Sequence, residues 1–153
     1  MKKLLYLFLV LPLVFSSCKK EEGCTDSQAT NYNADAEEDD GSCTYSIIGT
    51  WGGDDYILNG TSLFSSSLPL YITSMAINIY ADGTSATFVN YSDGSDLTVP
   101  GTWSLTGSSI LNMTNTDTGD SVVWTITKLD GSKMEIYTSD VGGMGPGTIK
   151  LSR

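Results

Sequence analysis

The chain contains no histidine. That absence removes the commonest general base and the commonest zinc ligand, and it excludes Ser-His-Asp and Cys-His catalysis outright. The residues that could still do chemistry are carboxylates and thiols. Asp54-Asp55 and Asp93 with Asp96 form carboxylate pairs on expected loops, the kind of pair that serves glycoside hydrolysis. At turn positions, however, Asp ordinarily caps the backbone and keeps the surface soluble. No activated nucleophile or base can be named, so an enzyme is not expected. A second constellation lies between Cys24 and Cys43, where Asp26, Asn31, Asn33, Asp35, Asp39 and Asp40 crowd together. Their oxygens are the type that Ca²⁺ collects in sets of roughly six to eight. Their spacing does not follow the EF-hand rule of alternating ligands closed by a Glu. Ca²⁺ is therefore one reading of the cluster, and a hydrated acidic linker is the other.

Composition bounds the rest. The 153 residues suffice for one ordinary domain and a small appendage. With 18 acidic against 8 basic side chains and a net charge of -10, no basic face can be assembled, and nucleic acid is excluded as a partner. The 16 Gly, 8 Tyr and only 17% charged residues point to an all-β chain outside the cytoplasm.

The elements that position these residues begin after a leader. Met1-Lys2-Lys3 is a positive start, and Leu4 to Phe15 is an uncharged apolar run. A membrane span needs about 20 apolar residues, so this run fits a secretory signal instead. Phe15-Ser16-Ser17-Cys18 resembles the lipobox of bacterial lipoproteins, with Phe15 where that family prefers Leu. The resemblance implies that residues 1–17 are removed and that Cys18 carries acyl chains, which tie the protein to a membrane. Each buried methylene adds roughly 0.8 kcal/mol, so several chains give a lasting anchor. Loss of Lys2 and Lys3 makes the mature chain still more acidic, so that anchor is lipid rather than electrostatic. The tether 18–22 continues as Lys19-Lys20-Glu21-Glu22, which resembles the signal that sends Bacteroidota lipoproteins to the outer face of the outer membrane. With Cys18 lipidated, Cys24 and Cys43 remain, and an even remainder in an exported chain reads as a disulfide worth about 3 kcal/mol.

Residues 23–45 hold almost no large apolar side chain except Tyr32 and Tyr45, so they cannot build a core and need a staple. The segment resembles a short repeat, GCTDxxAxNYxxxAxxDDGSCxY, of secreted and surface proteins of marine Bacteroidota. Both cysteines, Asn31-Tyr32 and Asp39-Asp40-Gly41 are in place.

From residue 46 to 153 short alternating runs are separated by Asp-Gly, Asn-Gly and Gly-Ser pairs, with no helical stripe. Met75, Ile77 and Ile79 share a parity. Ala81-Asp82-Gly83 turns the chain, and Ala86 and Phe88 resume on the next strand. Trp103 with Leu105, Leu111 with Met113, Val122 with Trp124 and Ile126, and Met134 with Ile136 repeat the pattern, and 148–152 forms the last run. About eight strands at this spacing predict a barrel or sandwich. Residues 59–73, with Ser65-Ser66-Ser67 and Pro69, read as a loop or short helix over one barrel mouth.

Gly49-Thr50-Trp51 resembles the Gly-x-Trp motif that opens the first strand of lipocalins. Asp82-Gly83-Thr84, Gly101-Thr102-Trp103-Ser104-Leu105 and Trp124 to Leu129 resemble the lipocalin-like domains of Bacteroidota lipoproteins. The resemblance implies an all-β, up-and-down antiparallel barrel of about eight strands over 46–153. Lipocalins also have a C-terminal helix and a basic residue packed on the first-strand Trp, and the sequence places neither. Two functions follow. In one, the barrel of a surface lipoprotein holds a small hydrophobic ligand. In the other, Trp51, Met75, Ile77, Phe88, Trp103 and Trp124 fill an interior just wide enough for side chains. The protein is then an adhesion or scaffolding module with a surface-protein partner and a Ca²⁺-dependent acidic repeat. The geometry of a small barrel favours the filled interior, and a continuous cavity above about 300 Å³ would decide for the ligand.

Overall fold

The computed structural model describes residues 20–153. The expected signal sequence, residues 1–17, and Cys18 lie outside the described residues. Every regular element in the described chain is a strand. A two-stranded parallel pair, β1 (Glu22–Gly23) and β2 (Glu38–Asp39), belongs to the acidic segment. The barrel follows as β3 (Gly49–Leu58), the short β4 (Thr61–Ser62), β5 (Ile72–Ile79), β6 (Thr84–Tyr91), β7 (Asp96–Thr106), β8 (Ile110–Asn115), β9 (Ser121–Leu129), β10 (Lys133–Thr138) and β11 (Gly147–Ser152). From β5 to β11 each strand pairs antiparallel with the next, β3 pairs with β5, and β11 returns to pair with β3. The result is a closed antiparallel barrel of 8 strands, with β4 hanging from the end of β3. Closure leaves the barrel no free edge to pair with another chain.

Turn chemistry sets the hairpins. Asp82 Oδ1 accepts from the Thr84 amide at 2.9 Å, Asp93 Oδ1 from the Ser95 amide at 2.9 Å, and Asp130 Oδ1 from the Ser132 and Lys133 amides at 2.9 and 2.7 Å. These bonds stabilise the carboxylate form. Asp82 and Asp93 are held below the usual carboxylate range, first by hydroxyl donors and then by the amides. Asp130 is lowered to about 2, chiefly by the Ser132 amide.

β3 carries a bulge. Leu151 faces Gly53 and Lys150 faces Asp55, so Asp54 has no opposite residue. The extra residue moves the inward parity from Trp51 and Gly53 to Tyr56 and Leu58. Gly53 is required by close approach, since a Cβ there would lie 2.9 Å from the Met75 Cβ. Asp54 and Asp55 therefore sit within a strand, not on the loop expected for them. Asp54 accepts from Ser152 Oγ at 2.7 Å and Lys133 Nζ at 3.2 Å, and Asp55 from Ser62 Oγ at 2.6 Å. The two carboxylates have separate structural partners. Asp93 caps its turn while Asp96 opens β7.

The acidic module is stapled by a Cys24–Cys43 disulfide. Asn31 zips its two halves, donating to Ser42 O at 2.7 Å and accepting from the Thr44 amide at 2.8 Å. Asp26 accepts from Tyr45 Oη at 2.7 Å, which pushes the phenol up to about 12. The module rests against the β9–β10 turn, where a Cβ on Gly131 would collide with the Gln28 side chain.

Candidate functional site

The two ends of the barrel are built differently. At one end the chain enters through Ile47, and the turns 80–83, 107–109 and 130–132 meet the C-terminus. Trp51 is fully buried there and donates from Nε1 to Ile47 O at 2.8 Å. The Arg153 guanidinium lies 4.3 Å over the Trp51 ring and bonds Gly131 O and Ile48 O. Arg153 is thus the basic residue that the sequence did not place. It directly follows the last strand, and register alone brings it over a tryptophan a hundred residues earlier. Trp103 shares the inward parity but sits at this same rim, half-buried, donating to Tyr80 O at 2.8 Å. It packs against the core without being enclosed by it.

The other end opens into a cavity of about 570 Å³. Met75, Ile77 and Trp124 line it, as do Leu63, Val89, Met113, Val122 and Ile149. The expectation of a filled barrel is therefore corrected, and the reason lies in two adjacent strands. β6 sends Ser85, Thr87 and Val89 inward and β7 sends Val99 and Gly101, so nothing larger than valine occupies that wall below Tyr91 and Leu97. Gly101 also has no room for a side chain, because a Cβ would lie 2.8 Å from Thr114 O and 2.9 Å from Ser85 Oγ.

Phe88 is the second correction. It was expected inside but points outward and is 38% exposed. Residues directly opposite in an antiparallel pair share a face. Met75 faces Val89 and Ile77 faces Thr87, so the inward set of β6 is odd-numbered, while Phe88 pairs with outward Ala76. Apolar residues occupy both parities of β6, and the size of Phe88 misleads. The usable signal was the hairpin centre: counting equal steps either side of Asp82 pairs Ile77 with Thr87.

Segment 59–71 covers part of the mouth, as expected, but as β4 and turns rather than a helix. Leu63 and Leu70 from this segment line the cavity together with Tyr71. Asn59 fastens it to the β10–β11 loop, donating from Nδ2 to Met144 O at 2.6 Å. Leu70, Leu97 and Met144 form an apolar rim, 48%, 45% and 56% exposed. Polar atoms on the wall are few. Ser85, Thr87, Thr114, Tyr56, Tyr71, Tyr91 and Asn115 contribute them, and Asp120 stands at the rim. The Tyr56 hydroxyl is pushed above its ordinary range, first by burial and then by the neighbouring Tyr91. Sequence reasoning missed these tyrosines because Tyr56 lies beyond the bulge and Tyr91 carries the unexpected parity of β6.

The carboxylates among the six expected calcium ligands, Asp26, Asp35, Asp39 and Asp40, do not form a metal-holding group. No three acidic or cysteine side chains among the described residues converge as a metal would need. Five of the six side chains bond within the module: Asp26 and Asn31 as above, Asn33 capping the Asp35 amide, Asp39 and Asp40 capping Gly41 and Ser42.

The model of the family described as a lipocalin-like domain matches residues 47–136, from the Ile47 entrance to the middle of β10. No curated protein matches the chain.

Proposed function

Since the chain belongs to the lipocalin-like domain family, we propose that it is a binding protein, not an enzyme, whose barrel holds a small hydrophobic molecule. The observation that carries this reading is the apolar cavity of about 570 Å³ open at one barrel end. Ligand pockets of drug-sized molecules span about 300–1,000 Å³ and are mostly apolar with a few placed polar groups. The same reading makes it a lipoprotein of the outer cell surface, of Bacteroidota type, anchored through Cys18. The chain from Lys20 leads into a module seated at the closed end, so an anchor at Cys18 puts the mouth on the side away from the tether.

Two experiments test the halves of this proposal. Titration of the protein with a neutral apolar fluorophore should give saturable binding, with Trp124 emission changing, and Thr87→Trp should abolish it by filling the cavity. Binding unaffected by Thr87→Trp in a folded variant would place the ligand elsewhere. For the anchor, Cys18→Ser should move the protein from the detergent phase to the aqueous phase, and unchanged partitioning would sink the lipid attachment.

A further inference from the structure

We infer that the cavity selects apolar molecules bearing a positively charged head over the same molecules ending in a carboxylate. This inference rests on the ligand-binding reading and adds the chemical class. Its first support is the distribution of charge between the two ends. The cations of the barrel are Lys128, Lys133, Lys150 and Arg153. Lys128, Lys133 and Arg153 cluster around the closed end, where two of them pair with Asp130 and Asp54. Lys150 lies on β11 opposite Asp55 and Glu135. The mouth is formed by residues 59–71, 92–95, 116–120 and 139–146, and no Lys or Arg occurs in any of them. Asp93, Asp117, Asp120 and Asp140 do, with Asp96 next to them at the start of β7. Among the described residues no ion pair neutralises any of these carboxylates. Asp93 and Asp140 accept only from hydroxyl or backbone donors. A ring of one sign around a low-dielectric opening concentrates counter-ions and repels like charge.

The second support is inside the cavity. Ser85 is 7% exposed and lines the wall, yet its hydroxyl makes no hydrogen bond to another described residue. The hydroxyl is not sealed inside the protein but faces the empty volume, where an occupant can meet it. The hydroxyls of Tyr56, Tyr71 and Tyr91 likewise bond no other described residue. The wall is thus furnished for an occupant, with neutral hydroxyls and aromatic rings but no cationic side chain to neutralise an anion. A carboxylate is held most strongly by Arg or Lys, and burying one without a neutralising charge is costly. An ammonium at the mouth finds carboxylates around it and the tyrosines of the wall beside it.

The probes are decylammonium, decanol and decanoate, which share one chain and differ in head charge at about pH 7. Each is titrated below its micelle concentration into the whole mature protein, with Trp124 emission and calorimetry as readouts. The expected order is decylammonium, then decanol, then decanoate, with cation and anion about ten-fold or more apart at low salt. The gap should close in about 1 M salt, where charges are screened within a few ångströms. Asp120→Lys should lower the ratio of cation to anion affinity. Thr87→Trp, or Val89→Phe should the first not fold, should remove decylammonium binding. Equal affinities for all three probes, or decanoate binding tightest, would overturn the selection while leaving the binding reading standing. Decylammonium binding that persists in the filled-cavity variant would be adsorption to the acidic surface and would overturn it too. Failure of all three probes to bind the folded protein would reject the binding reading itself.

Discussion

The closed end and the mouth of this barrel are made of the same strands and the same ladder of hydrogen bonds, yet one is solid and the other hollow. At the closed end Ile47 and Trp51 plug the interior and Arg153 seals the ring from outside. A few residues further along, Ser85, Thr87, Val99 and Gly101 leave about 570 Å³ unfilled. Backbone pairing is indifferent to this choice. What decides it is the size of the inward side chain on each strand, so a barrel can keep its fold while its ends diverge in purpose. Stability should therefore reside at the plug and binding at the wall.

The sharpest way to break that contrast is to truncate a tryptophan at each place. Trp51→Ala removes a fully buried ring, its bond to Ile47 and the platform for Arg153. Loss of such a side chain costs about 3–5 kcal/mol, against roughly 5–15 kcal/mol for a whole domain. Trp124→Ala enlarges a space that already exists, so its cost should be clearly smaller, and apolar-ligand affinity should fall with it. Denaturant titration of both variants decides. Equal destabilisation with ligand binding intact in Trp124→Ala would mean that the cavity wall is ordinary core.

Next in size is the staple of the acidic module. Replacing Cys24 and Cys43 by alanine should cost the module about 3 kcal/mol by freeing its unfolded chain. The module touches the closed end through Gln28 while the barrel has its own core. Amide exchange should therefore quicken over 23–45 while β5 to β11 keep their protection. Loss of protection across the barrel would show that the plug extends into the module.

How much of this was readable beforehand differs between the same two ends. The plug was legible, since Gly49-Thr50-Trp51 points where the structure puts it, and the shared parity of Met75, Ile77 and Ile79 gave the inward face of β5 from the closed end to the cavity wall. So were the strand number, the disulfide and the flap-like segment after β3. The cavity was not. An interior void is a sum over strands, and no local pattern announces that β6 and β7 both turn small residues inward. Phe88 drew the eye to the wrong face, since either parity of β6 offers apolar residues and only its pairing with β5 chooses. The bulge at Asp54 hid Tyr56 for a related reason. One unpaired residue inverts all later positions of a strand, and two consecutive acids look like a loop. Arg153 was invisible because its partnership with Trp51 depends on barrel closure alone.

Arg153→Ala sharpens the picture of the closed end at lower cost. The stack on Trp51 and the two carbonyl bonds together should be worth about 1 kcal/mol, given partial exposure. Arg153→Lys should recover only part of this, since an ammonium cannot stack and fork as a guanidinium does. A full recovery with Lys would show that charge alone matters there.

The smallest effect is a pH dependence carried by the turns. Asp130 is held at about 2 by the Ser132 and Lys133 amides and by Lys128, and Asp82 and Asp93 are lowered by their own turn donors. In the unfolded chain these carboxyls titrate near about 3.9. The folded values are the lower ones, so the folded state binds fewer protons in this window. Their contribution is complete above the unfolded value and is lost as pH falls towards the folded one. Melting temperature should thus be flat near neutrality and decline from about pH 4 to about pH 2. Exposure of these groups to solvent keeps the decline modest. Asp130→Asn should lower the neutral-pH melting temperature slightly and flatten the acid slope, because the amide can still cap the turn but no longer titrates. A slope unchanged in Asp130→Asn would move the acid sensitivity to the other lowered carboxylates, Asp54, Asp82 and Asp93 of the barrel or Asp26 and Asp40 of the module, where turn donors and, for Asp26, Tyr45 hold them low. Asp26→Asn separates the two: an acid limb that flattens in that variant reports on the appendage and not on the plugged end of the barrel.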